Sequence, residues 1–135
     1  MATHNPPSLT ESYRYIDALD LSYLSEKMQS PLYSLPRWTA HDAKIALTLY
    51  KNFLKLQKKH WGQHFLVPTP EIDECWHNHI LHTKQYIDDC QAIFGHYLHH
   101  LPAVESPDAF ALLTEQFAKT KALYLAEFGE HLLYG

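Results

Sequence analysis

Histidine and carboxylate side chains are concentrated in one segment of the chain, residues 73–100. Six of the eleven histidines fall between His77 and His100, and Asp73, Glu74 and Cys75 come just before them. Imidazole nitrogens combined with carboxylate oxygens suit transition metals such as Zn²⁺, Fe²⁺, Cu²⁺ and Ni²⁺. The segment therefore predicts a bound transition-metal ion, with zinc, iron or copper as the cofactor.

Helical spacing restricts which of these groups can share one ion. On an α-helix Asp73 and His77 lie four residues apart on one face, whereas His77 and His79 point about 160° apart. A pair supplies two ligands and a tight site needs three or four, so later histidines must complete it. The predicted metal ligands are Asp73, His77, His79 and His100. The alternates are Glu74, His82, His96 and His99.

Other interpretations of the same residues stay open. An Asp73–His77 hydrogen bond at the edge of the core can serve only to orient the helix, and His82 is typical of a solvated side chain. The chain has no His-Glu-x-x-His sequence, and Glu74-x-x-His77 occurs once where a di-iron bundle needs two such elements. No catalytic residue is therefore assigned. A metal site would allow metal-assisted hydrolysis or oxygen chemistry.

The elements that must position these groups are helices. Apolar residues recur at helical spacing, which predicts an all-α, single-domain helical bundle of about four to five helices. Residues 1–8 are expected to form a flexible N-terminus and residues 9–135 a single helical domain. Thr39, Thr69-Pro70 and Ser106-Pro107 are start signals for helices over residues 39–60, 70–94 and 106–128. Residues 9–28 form one helix or two short pieces.

Two of these helices have predicted inner faces. The helix over residues 70–94 is expected to bury Ile72, Trp76, Ile80, Ile87, Cys90 and Phe94. The last helix is expected to bury a stripe made of Phe110, Leu113, Phe117, Tyr124 and Phe128. If Cys75 and Cys90 lie on one continuous helix they are about 22 Å apart, which is too far for a disulfide.

Bulk composition limits the possible partners. The net charge of −4 does not favour nucleic acid as a partner. The longest apolar runs are too short to cross a bilayer, so no membrane span is expected. Residues 1–15 lack a basic start followed by an apolar stretch, which favours a cytoplasmic location and leaves export without a signal open.

A non-enzymatic protein-interaction module is the alternative to a metal-binding protein. Histidines titrate near pH 6.5, so the segment would form a pH-sensitive surface for a protein partner. The outer face of the helix over residues 39–60 carries five lysines, which predict either a solvated face or a docking surface. These are Lys44, Lys51, Lys55, Lys58 and Lys59.

The histidine segment contains the sequence Val67-Pro68-Thr69-Pro70-x-Ile72-Asp73-x-x-Trp76-His77-x-His79-x-Leu81, followed by Tyr86 and Cys90. Tyr50-Lys51-x-Phe53-Leu54 lies upstream of it, and Phe94-Gly95 and Leu98-His99-His100 lie downstream. Over these roughly 50 to 55 residues the chain resembles the glycine-rich-domain-containing-protein-like family. The end of the chain, Leu123-Tyr124 to Phe128-Gly129-Glu130, is similar to compact bacterial-type members.

The resemblance implies an all-helical domain with a set of hallmark residues and no settled activity. The hallmarks are Asp73, Trp76, His77 and His79, with a further histidine near His100. Longer plant relatives add glycine-rich and RNA-binding regions. This sequence has only four glycines, so RNA binding is not carried over to it.

Overall fold

Helices make up all the regular secondary structure of residues 5–101 and 106–132, which are the residues that the computed structural model describes. They run in chain order as α1 (Leu9–Ala18), α2 (Ser22–Gln29), α3 (Ala40–Lys59), α4 (Pro70–Leu81), α5 (Thr83–Phe94) and α6 (Pro107–Phe128). The predicted all-α single domain is confirmed, and residues 9–28 form two helices. Residues 1–4 of the predicted flexible terminus lie outside the described part of the chain.

Short polar side chains begin four of the helices. Ser8, Thr39, Thr69 and Ser106 each accept a hydrogen bond from a backbone N–H in the first turn, at 3.0–3.2 Å. Thr39, Thr69 and Ser106 are the start signals that the sequence predicts for α3, α4 and α6. At the other end of α6, Gly129 has a φ of 72°, a left-handed conformation that glycine adopts without a steric penalty.

The central helix is α3, which packs against α1, α2, α4 and α6. Its buried residues cover a wide arc that includes Tyr50, Phe53, Leu54 and Leu56. The helix is therefore in contact with neighbours on more than one side. Near its start, Ile45 keeps 40% of its surface exposed.

The prediction of one continuous helix over residues 70–94 is wrong, because the chain turns at His82. His82 has a ψ of 67°, so its backbone leaves the helical region between α4 and α5. The turn allows His79 to contact Asp89 at 2.8 Å. Ten residues of straight helix would separate these two by about 15 Å. The turn also moves Ile87 out of the predicted core, and 53% of its surface is exposed.

Both cysteines are buried free thiols, one on α4 and one on α5. The predicted absence of a disulfide therefore holds, although its premise of a single helix does not. Burial raises the pKa of the Cys75 thiol to about 12 and also raises the pKa of Cys90. Protonated, enclosed thiols are poor nucleophiles and poor metal ligands.

The predicted apolar stripe of α6 is only half buried. Tyr124, in the second half of the helix, is buried against α3 and accepts a hydrogen bond from Asn52 at 2.9 Å. Phe110, in the first half, keeps 70% of its surface exposed. None of the described helices is both long and apolar enough to span a bilayer.

Candidate functional site

The structure places the four predicted metal ligands in three separate environments. His77 lies on the exposed face of α4, and His79 points into the core. Asp73 and His100 contact each other at the edge of α4. Within residues 5–101 and 106–132, no group of three or more histidine, cysteine, aspartate or glutamate side chains is arranged to hold a metal ion. Two of the four predicted ligands therefore meet, and the other two lie elsewhere.

His79 belongs to a buried chain of hydrogen bonds. Its Nδ1 lies 2.7 Å from the Tyr50 hydroxyl, and its Nε2 lies 2.8 Å from Oδ2 of Asp89. The other carboxylate oxygen of Asp89 accepts a hydrogen bond from the Tyr15 hydroxyl at 2.6 Å. Burial raises the pKa of Tyr50 well above its ordinary value, so this phenol keeps its proton and donates it to Nδ1.

This buried chain connects four helices, because Tyr15, Tyr50, His79 and Asp89 lie on α1, α3, α4 and α5. Only 1% of the surface of His79 is exposed, and both of its ring nitrogens are already engaged. A metal ion could bind His79 only by displacing one of its partners. The arrangement therefore supports a structural role for this histidine.

Asp73 and His100 form the second environment. Nε2 of His100 lies 2.5 Å from Oδ1 of Asp73, and the imidazole stacks on the indole of Trp76 with 4.1 Å between the ring centroids. Trp76 is itself fixed, since its Nε1 donates to the Tyr86 hydroxyl at 2.9 Å. Tyr86 in turn donates to the backbone carbonyl of Leu98 at 2.5 Å, which holds the segment that carries His100. The pair is thus rigidly supported, yet it remains partly exposed to solvent.

The alternate ligands on and after α4 are bound to other groups. A carboxylate oxygen of Glu74 accepts a short hydrogen bond from Nε1 of Trp38. Nδ1 of His82 donates to the backbone carbonyl of Asn78 at 2.9 Å, and its ring makes an edge contact with Tyr23. The prediction that His82 points to solvent is therefore only partly correct, since its ring is half-buried.

The alternates in the segment after α5 pack against aromatic rings. The ring of His96 lies 4.4 Å from that of Trp61, measured between centroids. The ring of His99 makes an edge contact with Tyr97 at 4.8 Å. His96 and His100, although four residues apart, do not lie on a helix, because residues 97–100 have no regular structure.

Asp73 and His100 line a large cavity, which we call the α4–α6 groove. The groove has a volume of about 1090 Å³ and lies between the connector from α3 to α4, α4 itself, residues 98–101 and the first half of α6. Its walls are mostly apolar and include Trp61, Phe65, Leu66, Val67, Trp76, Leu98, Leu101, Ala109, Leu112 and Leu113. Its polar lining residues are Gln57, His64, Asp73, His99, His100 and Gln116.

Sequence reasoning missed both the partners of His79 and the groove. Tyr50 and Asp89 lie 29 and 10 residues from His79, and only packing brings them to it. The sequence does indicate that His79 is buried. On a helical wheel His79 lies directly beside the apolar arc of its helix, whereas His77 lies farther away, beyond the other edge of that arc. The predicted apolar stripe of α6 does not indicate that this helix lines a groove, because the stripe places Phe110 in the core.

Most of the five lysines on α3 bind groups on neighbouring parts of the fold. Lys55 pairs with Asp17 of α1 at 2.6 Å, and Lys59 pairs with Glu127 of α6. Lys58 donates to a backbone carbonyl of the segment before α1. Three of the five lysines therefore form ion pairs or hydrogen bonds with neighbouring elements, which weakens the prediction of a docking surface on this face.

Comparisons with known proteins agree with the resemblance. The model of the UCP032817-like family matches residues 12–115. Glycine-rich domain-containing protein 1 of Arabidopsis thaliana is 32% identical over 110 residues, which cover 76% of this chain and 13% of that protein. Glycine-rich domain-containing protein 2 of the same plant is 31% identical over 113 residues, which cover 78% of this chain and 14% of that protein. No solved structure matches the chain significantly.

The chain thus spans about one seventh of the length of these plant relatives. The matched residues 12–115 include most of α1, all of α2 to α5 and the start of α6. They also include the Asp73–His100 pair and the buried chain around His79. This match covers well over half of the sequence, and the histidine segment lies entirely within it. The protein therefore belongs to the UCP032817-like family.

Proposed function

We propose that the α4–α6 groove binds a small molecule, with Asp73 and His100 as the polar end of the site. The observation that carries this proposal is that a partly exposed carboxylate–imidazole pair lies in the wall of a large apolar cavity. Ligand sites are typically concave, mostly apolar and equipped with a few fixed polar groups. The groove has each of these properties.

The size of the groove also fits this use. Its volume of about 1090 Å³ is slightly above the range of about 300–1,000 Å³ that is typical of small-molecule sites. The polar end is rigid because Trp76 lies beneath His100 and is held by Tyr86. Rigid polar groups lower the entropic cost of binding.

The second candidate function is metal binding at Asp73 and His100. It keeps two of the four metal ligands that the sequence predicts. Asp73 and His100 are both predicted ligands, and His64 and His99 line the same groove. Asp73 and His100 could supply two ligands, and the remaining positions would fall to water or to a bound molecule. Such an ion would be Zn²⁺, Fe²⁺ or Cu²⁺, and its open positions would allow it to polarise the bound molecule.

The groove is tested with Nile red, a neutral apolar dye whose fluorescence rises in apolar surroundings. We expect the protein to bind the dye, and we expect Ala109→Trp, which fills the groove from α6, to weaken binding about tenfold or more. Ala118→Trp is the matched control, because Ala118 is an exposed residue of the same helix outside the groove lining. Equal dye binding by both variants would contradict the proposal.

The metal is tested separately, on protein prepared without a polyhistidine tag and incubated in turn with Zn²⁺, Fe²⁺ and Cu²⁺. Uptake of about one ion per chain that is lost in Asp73→Asn and His100→Gln would support the second candidate. His77→Gln is the control, since His77 is exposed and separate from the pair. If neither dye nor metal binds, the interaction module with a pH-sensitive histidine surface is the hypothesis that is left.

A further inference from the structure

The charge of the groove lining restricts which ligands it can accept. With its histidines neutral, Asp73 is the only charged residue among the described lining residues, and neither lysine nor arginine is among them. A carboxylate or phosphate ligand would lose its hydration, meet no permanent positive charge and face the carboxylate of Asp73. The lining therefore disfavours acidic ligands such as fatty acids and nucleotides.

The hydrogen-bonding groups at the polar end are acceptors. Oδ1 of the Asp73 carboxylate accepts from Nε2 of His100, so Nε2 carries the proton and Nδ1 of the neutral ring keeps a lone pair. Within the described residues, Oδ2 of Asp73 has no hydrogen bond. A ligand that places its polar group here must therefore donate a hydrogen bond, which an ether, ester or ketone cannot do.

We infer that the groove takes a neutral apolar alcohol or phenol whose hydroxyl donates to the Asp73–His100 pair, an inference that rests on the proposed function. An amine could also donate, but a protonated amine would have to lose its hydration against mostly apolar walls. A hydroxyl costs less to desolvate. The side-chain amides of Gln57 and Gln116 also line the groove and can donate to a hydroxyl oxygen.

The test compares four ligands that share one apolar body and differ in the polar group. They are 2-naphthol, 2-methoxynaphthalene, 2-naphthoate and 2-(aminomethyl)naphthalene, and each displaces Nile red at about pH 8, where histidine is neutral. A chelator is present to exclude metal ions. We expect 2-naphthol to bind about tenfold more tightly than its methyl ether, the effect of one hydrogen bond to a charged acceptor.

Two variants separate failure of this inference from failure of the proposed function. Asp73→Asn can still accept from His100 but offers an N–H₂ donor in place of the second oxygen, so the ratio of its affinities for 2-naphthol and 2-methoxynaphthalene should fall to about one. Asp88→Asn, at an exposed position of α5, should keep that preference. Tightest binding of the acid or the amine, or a preference that survives in Asp73→Asn, overturns the inference. Absence of Nile red binding overturns the proposed function and the inference with it.

Discussion

Histidines of this chain differ in role because their surroundings differ. His79 is enclosed by Tyr50 and Asp89, whereas His100 is stacked on Trp76 in a partly exposed position. His77, two residues before His79, is exposed. The helical wheel separates His77 from His79 correctly, since residues two apart point about 160° away from each other. It cannot show which imidazole is enclosed by hydrogen bonds, because the partners come from distant parts of the chain.

Removal of the His79 imidazole tests the structural role of this residue. We expect His79→Phe to lower the free energy of unfolding by about 3 kcal/mol, since the Tyr50 hydroxyl and Oδ2 of Asp89 would stay buried without the imidazole that each contacts. The measurement is urea unfolding followed by circular dichroism. His77→Phe is the control on the same helix and should change stability by less than about 0.5 kcal/mol. Similar losses in both variants would refute the structural assignment.

At the scale of elements, the helix starts were predictable and the turn between α4 and α5 was not. Thr39, Thr69 and Ser106 act within one helical turn, so the start signals can be recognised locally. The turn at His82 has no glycine or proline, and the apolar pattern continues through it. It is stabilised by contacts across the fold, above all the one between His79 and Asp89, which a continuous helix would break.

The ion pair between α3 and α6 gives a pH-dependent prediction. The pKa of Glu127 is lowered mainly by its hydrogen bond with Lys59, despite an opposing effect of burial. A carboxyl with a lowered folded-state pKa contributes stability above its ordinary pKa of 4.5, and this contribution is lost as the pH falls through the lowered value. We expect Glu127→Gln to cost less than about 1 kcal/mol at neutral pH, because both groups are partly exposed.

That cost should disappear at low pH, as the pH falls through the lowered pKa of Glu127 and the wild-type carboxyl takes up a proton. Urea unfolding of wild type and variant at several pH values measures the difference. Glu130→Gln, at an exposed position just after α6, provides the comparison and should have little effect at either pH. A Glu127→Gln cost that is the same at low and neutral pH would show that the charge is not responsible.

In the molecule as a whole, the groove forms because the two halves of α6 are attached unequally: the second half is packed on the bundle more closely than the first. The second half of the helix packs on α3 through Tyr124, whereas the first half, with Phe110 exposed, forms one wall of the groove. The all-α fold follows from the apolar periodicity of the sequence. The groove does not, because it depends on where α6 crosses the bundle, and a periodic pattern carries no information about that crossing.

Hydrogen exchange should reveal this unequal attachment. We expect backbone amides of residues 107–117 to exchange faster than those of residues 118–128, since the first half of α6 has fewer buried contacts. Saturation with Nile red should slow exchange in residues 107–117 and leave α1 unchanged, because α6 contributes residues to the groove lining and α1 contributes none. Uniform protection along α6 without ligand would contradict this description of the helix.

The buried chain from Tyr15 to Tyr50 has a consequence for evolution within the family. The chain joins residues of four helices through one imidazole. A mutation of His79 alone therefore removes a hydrogen-bond partner from Tyr50 on α3 and from Asp89 on α5. We expect relatives with an apolar residue at the position of His79 to have exchanged Tyr50 and Asp89 as well, for example for phenylalanine and leucine. Compensating changes of this kind would mark lineages that have rebuilt their interior, whatever ligand they bind.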